Sequence, residues 1–213
     1  MKKIPLNKLS KILISHEKWL ESNRKSGKQA LLSGYDLNNS YLSCVNLKYA
    51  NLTGSNLKHA RLKNADLSNC NLDGADLFST NLIYANLRRA NLSGADLWGS
   101  HLWHANLRYA NLSKANFHLA DLSGADLTGA DLRGARLSTA TFKDTKGIMY
   151  FSLGKGFGFY TPHNRYCQIG CEGMEIDDWI ESYEKLGRKH RYSKSEIELY
   201  GVILKGLSQY NAK

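Results

Sequence analysis

Hydrophobic positions recur every five residues from Ala30 to Lys143. Leucine or phenylalanine stands at Leu32, Leu37, Leu42 and onward in unbroken steps to Phe142, which makes 23 centres with phenylalanine only at Phe117 and Phe142. Two residues before each centre the side chain is small, mostly alanine; the exceptions are Tyr35, Ser40, Val45, Ser55, Cys70, Thr80 and Ser100. A period of five fits neither the 3.6 of a helix nor the 2 of a simple strand. Within one unit, however, the alanine and leucine are two apart and face the same way on extended backbone. The next inward residue comes three positions later, so the chain must turn a corner across the two positions between. Those positions are rich in Gly, Ser, Asn and Thr, as at Ser33-Gly34, Thr53-Gly54, Ser93-Gly94, Ser123-Gly124 and Thr128-Gly129. Glycine suits a turn position that needs positive φ. Each unit therefore reads as a very short strand followed by a corner. Equal corners close the path, and stacked coils bury a continuous Leu/Ala column. Each fully buried leucine contributes roughly 1.5–3 kcal/mol before entropy is counted.

A square coil stacks residues 20 apart, and a triangular coil stacks residues 15 apart. At 20, Trp98 lies over Phe78, Trp103 over Ile83, His104 over Tyr84 and Arg108 over Arg88. At 15, Trp103 would fall on Arg88 and the types would mix, so the square is the better reading. The repeated Ala-Asn-Leu-x-x and Ala-Asp-Leu-x-x units resemble those of pentapeptide-repeat proteins, over about half the chain. That resemblance implies an all-β solenoid, a right-handed quadrilateral β-helix with four repeats per coil. Its 23 repeats, within residues 30–144, would make nearly six coils, on the order of 28 Å tall at the usual strand spacing.

The flanks read differently. Within residues 1–29, the stretch from Leu6 to Ser22 is an amphipathic helix with Leu6, Leu9, Ile12, Leu13, His16, Trp19 and Leu20 on one face. A solenoid end exposes core and unpaired strand edges, so this basic helix is expected to cap the first coil. Within residues 145–213, Ile148–Leu153 and Phe157–Tyr160 read as a hairpin about a turn at Gly154-Lys155-Gly156, with a third strand at Tyr166–Ile169. A helix follows from Ile176 to Gly187, its apolar face carrying Ile176, Trp179, Ile180 and Tyr183. Ser193-Lys194-Ser195-Glu196 is a capping box opening a last helix, with Ile197, Tyr200, Val202, Ile203 and Leu207 as its apolar face. This ending, with Ile169-Gly170-Cys171, Trp179 and Tyr192-Ser193, resembles the tails of pentapeptide-repeat proteins from bacteria and their prophages. The two helices are expected to close the C-terminal end of the solenoid, and capped ends favour a monomer.

The formal net charge is +10, but it is unevenly placed. Counted by segment, residues 1–29 carry +6, residues 30–144 carry +2 and residues 145–213 carry +2. The resemblance also brings in the relatives that protect DNA gyrase by imitating DNA, and here Asp36, Asp76, Asp96, Asp121, Asp126 and Asp131 would form the acidic surface. A DNA mimic should be strongly acidic, and a near-neutral solenoid disfavours that role. The other reading of these residues is structural: Asn and Asp before each centre bond to nearby turn backbone or stack as ladders. Four scattered cysteines, Cys44, Cys70, Cys167 and Cys171, form no disulfide framework and fit a reducing cytoplasm. Their register points Cys70 inward and Cys44 outward. His163, Cys167 and Cys171 lack a zinc knuckle's spacing. No run is apolar enough to span a membrane.

The outward corner positions carry the candidate chemistry. One side holds Phe78, Trp98, His118 and Leu119; the next holds Ile83, Tyr84, His101, Trp103 and His104. The third holds Lys48, Tyr49, Arg88, Arg89, Arg108 and Tyr109, and the fourth is small and bland. The middle coils should thus present an aromatic patch flanked by an arginine stripe. Large exposed apolar patches mark a partner or a covering segment, here the C-terminal tail. Trp, Tyr and Arg dominate interface energetics. The sequence holds no nucleophile–base pair, metal cluster or cofactor loop. It points to a non-enzymatic protein-binding scaffold without cofactors, using Phe78, Ile83, Tyr84, Arg88, Trp98, His101, Trp103, His104 and Arg108. The alternatives are gyrase protection and single-stranded nucleic-acid binding, the latter weakened by the small net charge of the solenoid.

Overall fold

A computed structural model describes residues 1–153, 156–163, 166–169 and 172–209. The chain forms two compact units, Met1–Lys146 and Gly147–Lys213.

In the first unit the strands are so short that each appears as a single parallel bridge to the residue 20 positions on. The series runs from Leu31 with Asn51 to Asp126 with Lys146. Four repeats per turn follow directly, and the coils form the right-handed quadrilateral β-helix. The ladder is complete at each step. The Leu32 amide donates to the Asn51 carbonyl at 2.7 Å, and the Asn51 amide returns to Ala30 at 3.0 Å. Corners close by i+3 bonds, such as Ala50 N to Leu47 O at 2.9 Å. Leucine centres from Leu32 to Leu137 are at most 2% exposed, as is Phe117. Two of the inward positions that are not alanine bond to backbone: Thr80 Oγ1 donates to Leu57 O at 2.8 Å and Ser100 Oγ to Leu97 O at 2.6 Å. Cys70 is buried, as its register requires, and burial pushes its thiol up to about 12. Cys44 is exposed at a corner.

The Asn and Asp residues before the centres work structurally. Oδ1 of Asp36, Asp76, Asp96, Asp121, Asp126 and Asp131 accepts the amide two residues on, at 2.9–3.3 Å. Asparagines add rungs between coils, including Asn56 to Asp36 at 2.8 Å and Asn116 to Asp96 at 2.9 Å.

The N-terminal end is closed by two elements. Strand β1 (Lys2–Lys3) pairs in parallel with β2 (Tyr35–Asp36), extending the stack by one rung. This strand was not legible, because two lysines carry no strand signal. Helix α1 (Leu6–Glu21) then packs on the first coil through Leu9, His16 and their neighbours. His16 is fully buried; its Nδ1 accepts the Ala30 amide at 3.1 Å, and its ring stacks on Trp19. Burial lowers its pKa, with the Lys48 carbonyl acting the other way. Leu6 corrects the expected helix face. It is 82% exposed, and Ile4, just before the helix, is buried instead.

The second unit is a four-stranded antiparallel meander, β3 (Met149–Leu153), β4 (Gly156–Thr161), β5 (Tyr166–Ile169) and β6 (Glu172–Glu175), followed by α2 (Ile176–Lys189) and α3 (Lys194–Ser208). The fourth strand went unread because Glu-Gly-Met-Glu has no strand composition. Tyr160, Cys167, Ile169, Ile176, Trp179, Tyr200, Leu204 and Leu207 form its core. The Trp179 indole donates to the Cys167 carbonyl at 2.8 Å. The capping box at Ser193 and Glu196 is formed. Val202 corrects the face expected of α3: it is 69% exposed, and Leu204 is buried in its stead. The Gly154-Lys155 part of the expected turn and Cys171 lie outside the described residues.

Candidate functional site

The corners decide what the solenoid shows to solvent. At each corner from residue 34 to residue 134, the second corner residue has positive φ, the conformation a type II turn demands. Glycine takes it at Gly34, Gly54, Gly74, Gly94, Gly99, Gly124, Gly129 and Gly134; at the other thirteen corners the residue is not glycine. Tyr84 (φ 58°), Arg89 (57°), His104 (55°) and Tyr109 (58°) are among those thirteen. The left-handed conformation costs an L-residue roughly 1–2 kcal/mol. The corners thus have the positive φ that glycine suits, but most of them take it without glycine.

Residues expected to form one patch sort into three clusters along the solenoid. On the stacking corner, His59, Phe78, Trp98 and His118 form a ladder, with ring centroids 5.5, 4.6 and 6.1 Å apart in turn. Thr139 Oγ1 meets His118 Nδ1 at 2.9 Å at its upper end. His59 was missed by the sequence reading, although the 20-residue register puts its corner directly below that of Phe78.

On the aromatic corner, Tyr84, Trp103 and His104 form a trio. Tyr84 stacks on His104 at 5.2 Å, and Trp103 lies 5.9 Å from Tyr84 and 4.9 Å from His104. Trp103 stays 45% exposed and Tyr84 49%. Ile83 is partly buried and His101 exposed, and neither joins a ring stack. Directly above, a Cβ at Gly124 would strike the His104 ring, so glycine here leaves room for that ring.

On the arginine corner, Tyr109 is the hub. The guanidinium carbons of Arg88, Arg89 and Arg108 lie 5.7, 5.9 and 5.5 Å from its ring centroid. Arg108 is also bonded to Asp126 at 3.1 Å. That bond raises the Arg108 pKa. Burial pushes the Asp126 carboxyl up, but its bonds to Thr128 and Arg108 outweigh burial and hold it below the usual carboxylate value. Arg89 and Tyr109 belong to the cluster beside Arg88 and Arg108.

The arrangement offers stacking faces and fixed positive charge. Among the described residues no group of three or more His, Cys, Asp or Glu could hold a metal ion, and no helix is long and apolar enough to cross a membrane.

Comparison with known proteins agrees with the repeat. The family described as Pentapeptide repeats matches in eight copies, over residues 28–58, 55–94, 85–124 and 120–146. No curated protein matches the chain. Among solved structures, the pentapeptide repeat protein Rfr23 from the cyanobacterium Cyanothece 51142 is 30% identical; the alignment covers 63% of this chain and 98% of that one, with a TM-score of 0.43. HetL, a pentapeptide repeat protein involved in heterocyst differentiation regulation from Nostoc sp. strain PCC 7120, is 34% identical over 56% of this chain and 69% of its own, with a TM-score of 0.27. QnrB1, a plasmid-mediated fluoroquinolone resistance protein, is 22% identical over 53% and 77%, with a TM-score of 0.21. The family match spans more than half the residues and coincides with the bridged coils, and on that evidence the chain belongs to the pentapeptide-repeat family.

Proposed function

We propose that the chain is a non-enzymatic, cytoplasmic binding scaffold that acts as a monomer and engages a protein partner through its three decorated corners. One observation carries the reading. Tyr84, Trp103 and Tyr109 remain 40–49% exposed, and two of the three sit on left-handed backbone that glycine would adopt more cheaply. Large exposed rings at strained positions add little to a core that is already filled by leucine. Trp, Tyr and Arg are the side chains that concentrate binding energy at protein interfaces.

Gyrase protection by DNA mimicry is the weaker reading. The solenoid has no acidic excess, and each of the aspartates that would imitate phosphates has one oxygen bound to a turn amide. Single-stranded nucleic acid would find stacking rings but few cations.

The test is a pull-down from native lysate with wild type and with Trp98→Ala/Trp103→Ala, both first shown by circular dichroism to be folded. A protein retained by wild type and lost from the double variant is the expected result. A folded double variant that retains the same proteins as wild type contradicts the reading.

A further inference from the structure

The arginine corner holds positive charge that the solenoid does not neutralise. Two cations on decorated corners find an acid 18 residues on, diagonally across the next coil: Lys58 meets Asp76 at 3.0 Å and Arg108 meets Asp126 at 3.1 Å. For Arg88 that position is Asn106. Asn106 is itself engaged, its Oδ1 taking the Arg108 amide and its Nδ2 donating to Asn86. The nearest acid by register below, Asp66, accepts from Ser68 and Asn86. The strands that follow the corner of Arg89 carry Asn91 and Asn111, which bond to each other and accept the serine amides two residues on. Among the described residues, neither Arg88 nor Arg89 has a carboxylate partner. Both are exposed, and their guanidinium carbons lie 5.7 and 5.9 Å from the centroid of the Tyr109 ring.

One corner away in the same two coils stand Tyr84, Trp103 and His104. Positive charge without counter-ion next to exposed rings is complementary to a chain carrying carboxylates next to an aromatic or apolar side chain. A single nucleic-acid strand is less well matched. Two arginines without a carboxylate partner would neutralise few phosphates, and that neutralisation dominates nucleic-acid affinity.

We infer that the partner contacts this face through an acidic peptide segment, with carboxylates on Arg88 and Arg89 and an adjacent apolar residue on the Tyr84–Trp103–His104 trio. This inference rests on the protein-scaffold reading above and specifies its partner.

The experiment is selection of a phage-displayed library of random linear peptides on the full chain. The recovered peptides are then measured by fluorescence polarisation against wild type, Arg88→Gln/Arg89→Gln and Lys143→Gln. An oligothymidylate serves as a separate probe. Enrichment of Asp and Glu beside aromatic residues is expected. Affinity should fall at least about tenfold in the double arginine variant, and it should hold in Lys143→Gln. Enriched peptides that are neutral or basic, or that bind the double variant unchanged, overturn the acidic assignment and leave the scaffold reading standing. No enrichment together with tight, steeply salt-dependent binding of oligothymidylate overturns both.

Discussion

The bland corner and the arginine corner are built on the same backbone and the same leucine column. On the bland corner the left-handed position is Gly34, Gly54, Gly74, Gly94 and Gly134, broken only by Lys114. On the arginine corner it is Tyr49, Asn69, Arg89 and Tyr109, with glycine only at Gly129. Both corners close with the same bonds, for example Gly74 N to Ser93 O and Arg89 N to Arg108 O, at 2.8 and 2.9 Å. Folding therefore does not call for the large residues. On the bland corner glycine fills the left-handed position at five of six levels. Where Tyr84, Arg89, His104 and Tyr109 stand, the left-handed backbone carries a strain of roughly 1–2 kcal/mol each.

The largest expected effects should fall on both corners alike. Leu87→Ala and Leu92→Ala each remove a fully buried side chain, and each should cost about 2–5 kcal/mol in urea unfolding. Unequal costs would mean that the decorated corners also support the core. Glycine substitutions should then separate the corners. Gly74→Ala has open space and should cost about 1–2 kcal/mol from backbone alone. Gly124→Ala must also displace the His104 ring and should cost about 1–3 kcal/mol more.

Acid should act through the shared N-terminal cap. His16 is buried neutral with a lowered pKa, so the unfolded chain binds more protons as pH falls below the ordinary value of 6.5. Stability present above that value is lost progressively below it. His16→Asn should weaken the cap at neutral pH and flatten this dependence between pH 7 and pH 5 on a melting-temperature profile. The smallest effect on stability belongs to Tyr109→Asn. Asparagine tolerates the left-handed corner, and the lost cation–π contacts are exposed and weak. The unfolding free energy should move by less than about 1 kcal/mol, while capture of a partner falls.

Much of the fold was legible because the repeat encodes it twice, in the inward Ala/Leu spacing and in the corner residues. The 20-residue register and the inward Cys70 followed from that spacing, and the turn-binding role of the aspartates was one of the readings their residue type offered. The two ends were read less well. Leu6 and Val202 are apolar residues that the helical period placed inward and that the structure leaves exposed. Periodicity fixes the side of a helix only to within about a residue, and the packing partner decides the rest. At the candidate site, the register brought Phe78 to Trp98 and Tyr84 to His104. It could not show that Tyr109 gathers three arginines, because cation–π contacts depend on side-chain direction and not on corner position. Nor did it reveal the left-handed backbone under Tyr84 and Tyr109, since the sequence cue for that conformation is glycine.

The claim that the decorated corners exist for contact is tested most directly by one urea unfolding curve, that of the quadruple variant Tyr84→Gly/Arg89→Gly/His104→Gly/Tyr109→Gly. The account predicts a midpoint equal to or above wild type, because four strained positions relax while the core is untouched. A midpoint lowered as far as that of Leu87→Ala would show that these side chains hold the solenoid together, and would contradict it.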